Sequence, residues 1–348
     1  MLPNYSILHK QDIFITEKYE PDIRRDELSF LSRSFERHFN ERPYLHHACY
    51  LFLTKTTKER SRQQSNWNTL CRGFLVPKEI RDKEMVERFM EAVGQFESIV
   101  NDSGLVRLER LTTEEITGTE NEPGIIERYL TLSADGTSML QDMQLNPDEM
   151  RIGDKRLCLH TLSDLDDLPG KVRTDGRYER LSTDRSDCRL SYAAPVGVML
   201  PCDHIYNQWI FIDDSNENLS RFEKMAKNMQ SLSRYSRSNQ INKEWLDEYL
   251  NEAHSNGLQS VRCHCNIIAW AENGDELRRV KNDVGSALAL MECTQHHNTT
   301  DLPALYWAGI PGNEADFPAE ETFYTFTGQA LCFFTAETCY RNSLSPFG

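Results

Sequence analysis

Residues 261–270 read VRCHCNIIAW, and the alternation in that stretch decides the fold. Side chains on an extended chain point to opposite faces with period two. Val261, Cys263, Cys265 and Ile267 therefore share one face, and Arg262, His264, Asn266 and Ile268 share the other. Upstream, Ile205–Ile212 reads as a second strand, carrying Trp209 and Phe211. Between the two lie helical patterns. Leu219, Phe222, Met225, Ala226 and Met229 form one stripe; Trp245, Leu246, Tyr249, Leu250 and Ala253 form another, stopped by Gly257. Downstream, Leu277, Val280, Val284, Leu288 and Met291 give a third helix, followed by a short extended piece near Cys293. The order is β-α-β-α-β with the first helix doubled.

The N-terminal part repeats that order. Residues 5–15 read as a strand with Tyr5, Ile7, Ile13 and Ile15 against Leu8 and Phe14. Asp26 caps a helix with the stripe Leu28, Leu31, Phe35 and Phe39. Residues 44–54 place Leu45, Cys49, Leu51 and Leu53 on one face and Tyr44, Ala48, Tyr50 and Phe52 on the other. Apolar residues on both faces predict a central, covered strand. After Pro77, a helix follows with Val86, Phe89, Met90, Val93, Phe96 and Val100; Gly104 ends it, and Leu105–Leu108 can pair as a strand. Residues 112–200 hold short helical pieces near Glu114 and Ile125, strand-like fragments at 140–145 and 156–162, and an irregular stretch from Asp164 to Pro201. The expected fold class is α+β: two ferredoxin-like βαβαβ units with mixed or antiparallel sheets, joined by an irregular middle. The expected boundaries are 1–110, 111–201 and 202–348.

With 348 residues the chain can bury a large core. Its net charge of −15 disfavours wholesale binding to nucleic acid or anionic membranes. No apolar run reaches the roughly 18 residues of a membrane span, and the first residues do not read as a signal peptide. Met1 stands directly before a strand, which predicts a start cut into a longer chain. The ten cysteines show no C-x-x-C pair and read as reduced cytoplasmic thiols.

Gly170-Lys171 precedes Val172 and lacks the upstream glycine of a phosphate-binding loop. Cys263-His264-Cys265 sends its thiols one way and its imidazole the other, so one ion cannot take all three. His46-His47 and His296-His297 fail for the same reason. Asp164, Asp166 and Asp167 lack the glycine and distal glutamate of a calcium loop and read as solvated. No catalytic, metal or cofactor residue is assigned. One charge feature departs from the acidic background: Lys55, Lys58, Arg60, Arg62 and Arg72, with Lys78, against the single acid Glu59. A solvated loop is the plain reading; docking onto anionic lipid headgroups, an acidic partner or DNA is the functional one. Arg234 and Arg237, around Tyr235, form a second candidate. A nucleic-acid or membrane-surface module built on residues 55–78, and a stand-alone enzyme, are the alternative classes.

The last stretch begins WAGIPGNEADFPAEETFYTFTGQALCFF, from Trp307, and ends SLSPFG at Gly348. Pro311, Gly312 and Asn313 predict a tight reversal, proline fixing φ and glycine tolerating a positive one. Most of the apolar residues after it, Phe323, Phe326, Leu331, Phe333 and Phe334, are expected to fold back on the body, leaving a residual patch near the end that promotes weak self-association. These strings, with LSFLSRSFERHFNERPY, KNMQSLSRYSRSNQINKEWLDEYLNEAH and VKNDVGSALALMEC, resemble the N-terminal region of TraG-family conjugation ATPases, the motors of type IV secretion in conjugative transposons. The resemblance implies a non-catalytic docking and assembly region at the cytoplasmic face of the inner membrane. It implies channel subunits and other copies of the motor as partners, and no specific nucleic acid. ATP and magnesium would belong to a P-loop motor that follows the PFG turn.

Overall fold

The computed structural model describes residues 2–17, 29–40, 44–61, 82–133, 141–145, 149–172, 176–180, 182–232, 236–297 and 300–337. Its strands are β1 (Ser6–Glu17), β2 (Tyr44–Lys55), β3 (Met143–Leu145), β4 (Met150–Ile152), β5 (Lys155–Leu162), β6 (His204–Ile212), β7 (Ser260–Ala271), β8 (His296–His297) and β9 (Phe323–Phe326). They form one nine-stranded sheet in the order β2-β1-β6-β7-β5-β4-β3, with β8 beside β5 and β9 beside β7. Every pairing is antiparallel. One edge of β7 is shared: β9 takes Ser260–Cys263 and β5 takes Cys265–Ala271.

The α+β class is as expected, but two separate ferredoxin-like units are not what forms. β1 pairs with β6 from Ser6↔Ile212 to Phe14↔His204, fusing both halves into one sheet. The boundaries at 110 and 201 therefore mark no break in it. The repeated order survives in another form. β1 and β2 pair directly around a helical excursion, and so do β6 and β7. Residue alternation identifies strands; it carries no information about which strand lies next to which. Two further readings are corrected. Residues 105–108 form no strand; they turn back onto the preceding helix, where Asn101 Oδ1 accepts from the Leu108 amide at 2.6 Å. Among the described residues β2 ends the sheet path instead of lying at its centre.

The helices are α1 (Phe30–Asn40), α2 (Lys58–Ser61), α3 (Lys83–Asp102), α4 (Thr113–Thr117), α5 (Ile125–Thr131), α6 (Ser215–Leu232), α7 (Arg237–Asn256), α8 (Gly274–Leu290), α9 (Leu302–Ala308) and α10 (Thr327–Leu331). The Asn273 side chain caps α8 by accepting from the Glu276 amide at 2.8 Å. Leu277, Val280, Val284, Ala287 and Leu288 then bury at helical spacing. They cover one sheet face together with Ala193, Val196 and Leu200 of the irregular stretch, where Cys263, Cys265 and Ile267 also point. The other face, with Trp209, Phe211, Ile268 and Trp270, is covered by α5, α9 and Phe317. A third cluster joins α6, α7 and β9 through Phe222, Leu250 and Phe326. Gly257 closes α7 at φ +60, the left-handed cap that glycine allows.

Candidate interaction surface

Two helices carry several exposed apolar residues. In α1, Phe30 is 79% exposed, Leu31 77% and Phe35 53%. α3 buries none of its residues along its length. Val86, Met90 and Ile99 are exposed on it, and Leu105 and Val106 follow on the chain beyond. α3 rests on the body through Phe96, half-buried against the core. Its start is well built: Asp82 accepts from the amides of Glu84 and Met85. Its helical form is thus fixed locally, while its apolar stripe is only half used. A contiguous apolar patch on an ordered helix is a candidate surface for a partner. The sequence displayed both stripes, yet a stripe does not say whether its own chain or another protein covers it.

The basic candidates are placed differently. Lys55 donates to the carbonyls of Asn4 at 2.7 Å and Thr56 at 3.0 Å, and lies over the Tyr5 ring. Lys58 pairs with Glu217 at 2.7 Å, and Arg60 with Asp316 at 2.5 Å. These charges bind α6 and the C-terminal segment to the body. Arg237 is exposed at the start of α7. Arg62, Arg72 and Arg234 lie outside the described residues, as do Lys78 and the closing SLSPFG.

The Pro311–Asn313 turn is formed as expected: the Asn313 amide donates to the Ile310 carbonyl at 2.9 Å, with Gly312 at φ +95. Its consequence was not legible. The turn lowers Glu314 into the protein, where it accepts from Thr54 Oγ1 at 2.9 Å and from the Gly312 amide. His9 Nδ1 lies 3.9 Å from Glu314 and stacks on Trp209 at 3.6 Å. From His9 a buried polar chain crosses three strands. Asn207 Oδ1 contacts His9 Nε2 and accepts from Gln11, each at 3.0 Å; Asn207 Nδ2 donates to Asn266 Oδ1, and Asn266 Nδ2 meets His264 Nε2. The His264 Nδ1–H then donates to the Glu321 carbonyl at 2.6 Å. Arg262 is buried beside it, bound to Asp213 at 2.6 Å and to Ser61. Beyond Glu321, Phe323, Phe326 and Phe333 are buried, Phe334 is half-buried and Leu331 is exposed.

Several buried titratable groups are held in contacts within the fold. Asp12, fully buried, accepts from Gln208 and Thr335, contacts His47 at 2.9 Å and pairs with Lys10. Burial alone would raise its pKa; the hydrogen bond from His47 and the charge of Lys10 outweigh this and hold it well below the usual carboxylate range. Its oxygens are thereby engaged, and no substrate contact is left to assign to it. His46 and His47 point apart, to Glu17 and to Asp12. Asp167 corrects the solvated reading: it is buried and meets His296 Nε2 at 2.6 Å. Burial pushes the Cys158 and Cys202 thiols up to about 12, opposite to the shift an attacking thiolate needs. Among the described residues no helix is long and apolar enough to cross a membrane. No family model and no curated protein matches the chain.

Proposed function

We propose that this chain is the N-terminal docking and assembly region of a TraG-type conjugation ATPase, non-catalytic by itself and peripheral to the cytoplasmic face of the inner membrane. The observation that supports the reading is the exposure of Phe30 and Leu31 on α1 and of Val86, Met90 and Ile99 on α3. Each fully buried aliphatic or aromatic side chain stabilises a complex by about 1.5–3 kcal/mol, and these helices present several. The partners in this reading are inner-membrane channel subunits and further copies of the motor, with anionic lipid headgroups as an added contact. ATP and magnesium belong to the motor domain that the resemblance places after this chain, so the isolated chain is expected not to turn over ATP.

Co-purification with the channel subunits of the same conjugative element tests the reading. Leu31→Asp and Ile99→Asp, both at exposed positions, should reduce recovery of the complex at least ten-fold while leaving the melting temperature unchanged. Recovery unaffected by either substitution would sink it.

A further inference from the structure

We infer that His9 and Glu314 form a proton-binding site inside the fold. His9 is held as an imidazolium that donates to the Glu314 carboxylate, and the bound proton clasps the turn at 310–317 to β1.

Two backbone carbonyls, which can only accept hydrogen bonds, fix the state of the ring. The Glu321 carbonyl lies 2.6 Å from His264 Nδ1, so that nitrogen carries a proton. In the neutral His264 ring Nε2 then accepts, and it takes its bond from Asn266 Nδ2 at 3.0 Å. Asn266 Oδ1 accepts from Asn207 Nδ2 at 2.9 Å, which turns Asn207 Oδ1 towards His9. The Gly309 carbonyl imposes the same direction from another side. It accepts from Gln11 Nε2, which also donates to Asn207 Oδ1, each at 3.0 Å. His9 Nε2 therefore faces an accepting oxygen at 3.0 Å and carries a proton. Its Nδ1 is left to face Glu314 Oε1 at 3.9 Å.

Both side chains are fully buried. With Nδ1 bare, a lone pair would face a carboxylate, and among the described residues no other cation pairs with that buried charge. A proton on Nδ1 supplies the donor and the counter-charge together. It rests on the ring, because the Glu314 oxygens accept from the Gly312 amide and from Thr54 Oγ1, contacts that favour the carboxylate. Stacking on the Trp209 face at 3.6 Å favours the cation further. The elements packed against the ring bring Phe52 from β2, Asn207 and Trp209 from β6, and Glu314 from the turn. Arg60 and Arg262 are paired elsewhere, with Asp316 and Asp213.

An unfolded histidine gives up its proton near pH 6.5. A folded chain that keeps it binds the extra proton above that pH. The clasp therefore contributes fully below about pH 6.5 and is lost as the pH rises.

Proton–nitrogen correlation NMR on nitrogen-15-labelled histidine at pH 7.5 tests the inference, His9 being assigned through its contacts with the Trp209 ring. Both ring nitrogens of His9 should carry protons. In Glu314→Gln the Nδ1 proton should be gone, because the amide can itself donate to a bare nitrogen. Between pH 7.5 and 9.5 the urea midpoint of the wild type should fall further than that of Glu314→Gln. A bare Nδ1 in the wild type, a ring whose protonation the substitution leaves unchanged, or equal midpoint losses would overturn the inference.

Discussion

His264 uses both ring nitrogens in its neutral form, Nδ1–H donating to Glu321 and Nε2 accepting from Asn266. Burial is the main cause that lowers its pKa to about 3, against a smaller upward pull from the Glu321 carbonyl. His204 is held at about 4, again by burial, with the carbonyls of Cys202 and Val196 opposing. An unfolded histidine takes up its proton near pH 6.5, so between that pH and the folded values the unfolded chain binds more protons. The two rings contribute full stability above about pH 6.5, and that contribution falls as the pH drops towards 4. At pH 5 the loss is about 2 kcal/mol for each ring. Urea midpoints should accordingly fall between pH 7.5 and 5.0; a flat midpoint would contradict the neutral, buried assignment. At this scale the sequence was half legible. The alternation at 261–270 set His264 apart from Cys263 and Cys265, as found. That Asn266, Asn207 and His9 would be buried partners was hidden, because the pairing of β1 with β6 and of β6 with β7 joins residues far apart in the chain.

The segment from Ile310 to Phe317 shows how one local element organises distant ones. Its turn was readable because proline and glycine impose their dihedrals without help from tertiary structure. What it carries was not readable: Glu314 reaches Thr54, Asp316 reaches Arg60, and Phe317 packs on Trp209 and Phe211. A Cβ added at Gly312 meets nothing within 4 Å, so the cost of a side chain there is backbone strain alone. Gly312→Val should destabilise the chain by about 1–3 kcal/mol, read from the urea midpoint; an unchanged midpoint and slope would mean the positive φ is not required. β2 and residues 105–108 show the converse. Their compositions suited a central strand and a short strand, but among the described residues the sheet path ends at β2, and the Asn101 side chain binds the Leu108 amide. Composition fixes what a segment tolerates; its neighbours fix what it becomes.

Across the whole molecule, one antiparallel sheet buries both faces, under α8 on one side and under α5, α9 and the Glu314 turn on the other. α1 and α3 stand apart from that economy, carrying apolar residues the sheet does not cover. The docking reading depends on that division of labour between a rigid body and two presented helices. Hydrogen-exchange mass spectrometry, with and without solubilised inner-membrane channel subunits, tests it most directly. Amides in 30–40 and 83–111 should gain protection on binding, while β6 and β7 exchange slowly in both states. Protection confined to other segments, or none at any stoichiometry, would contradict the account.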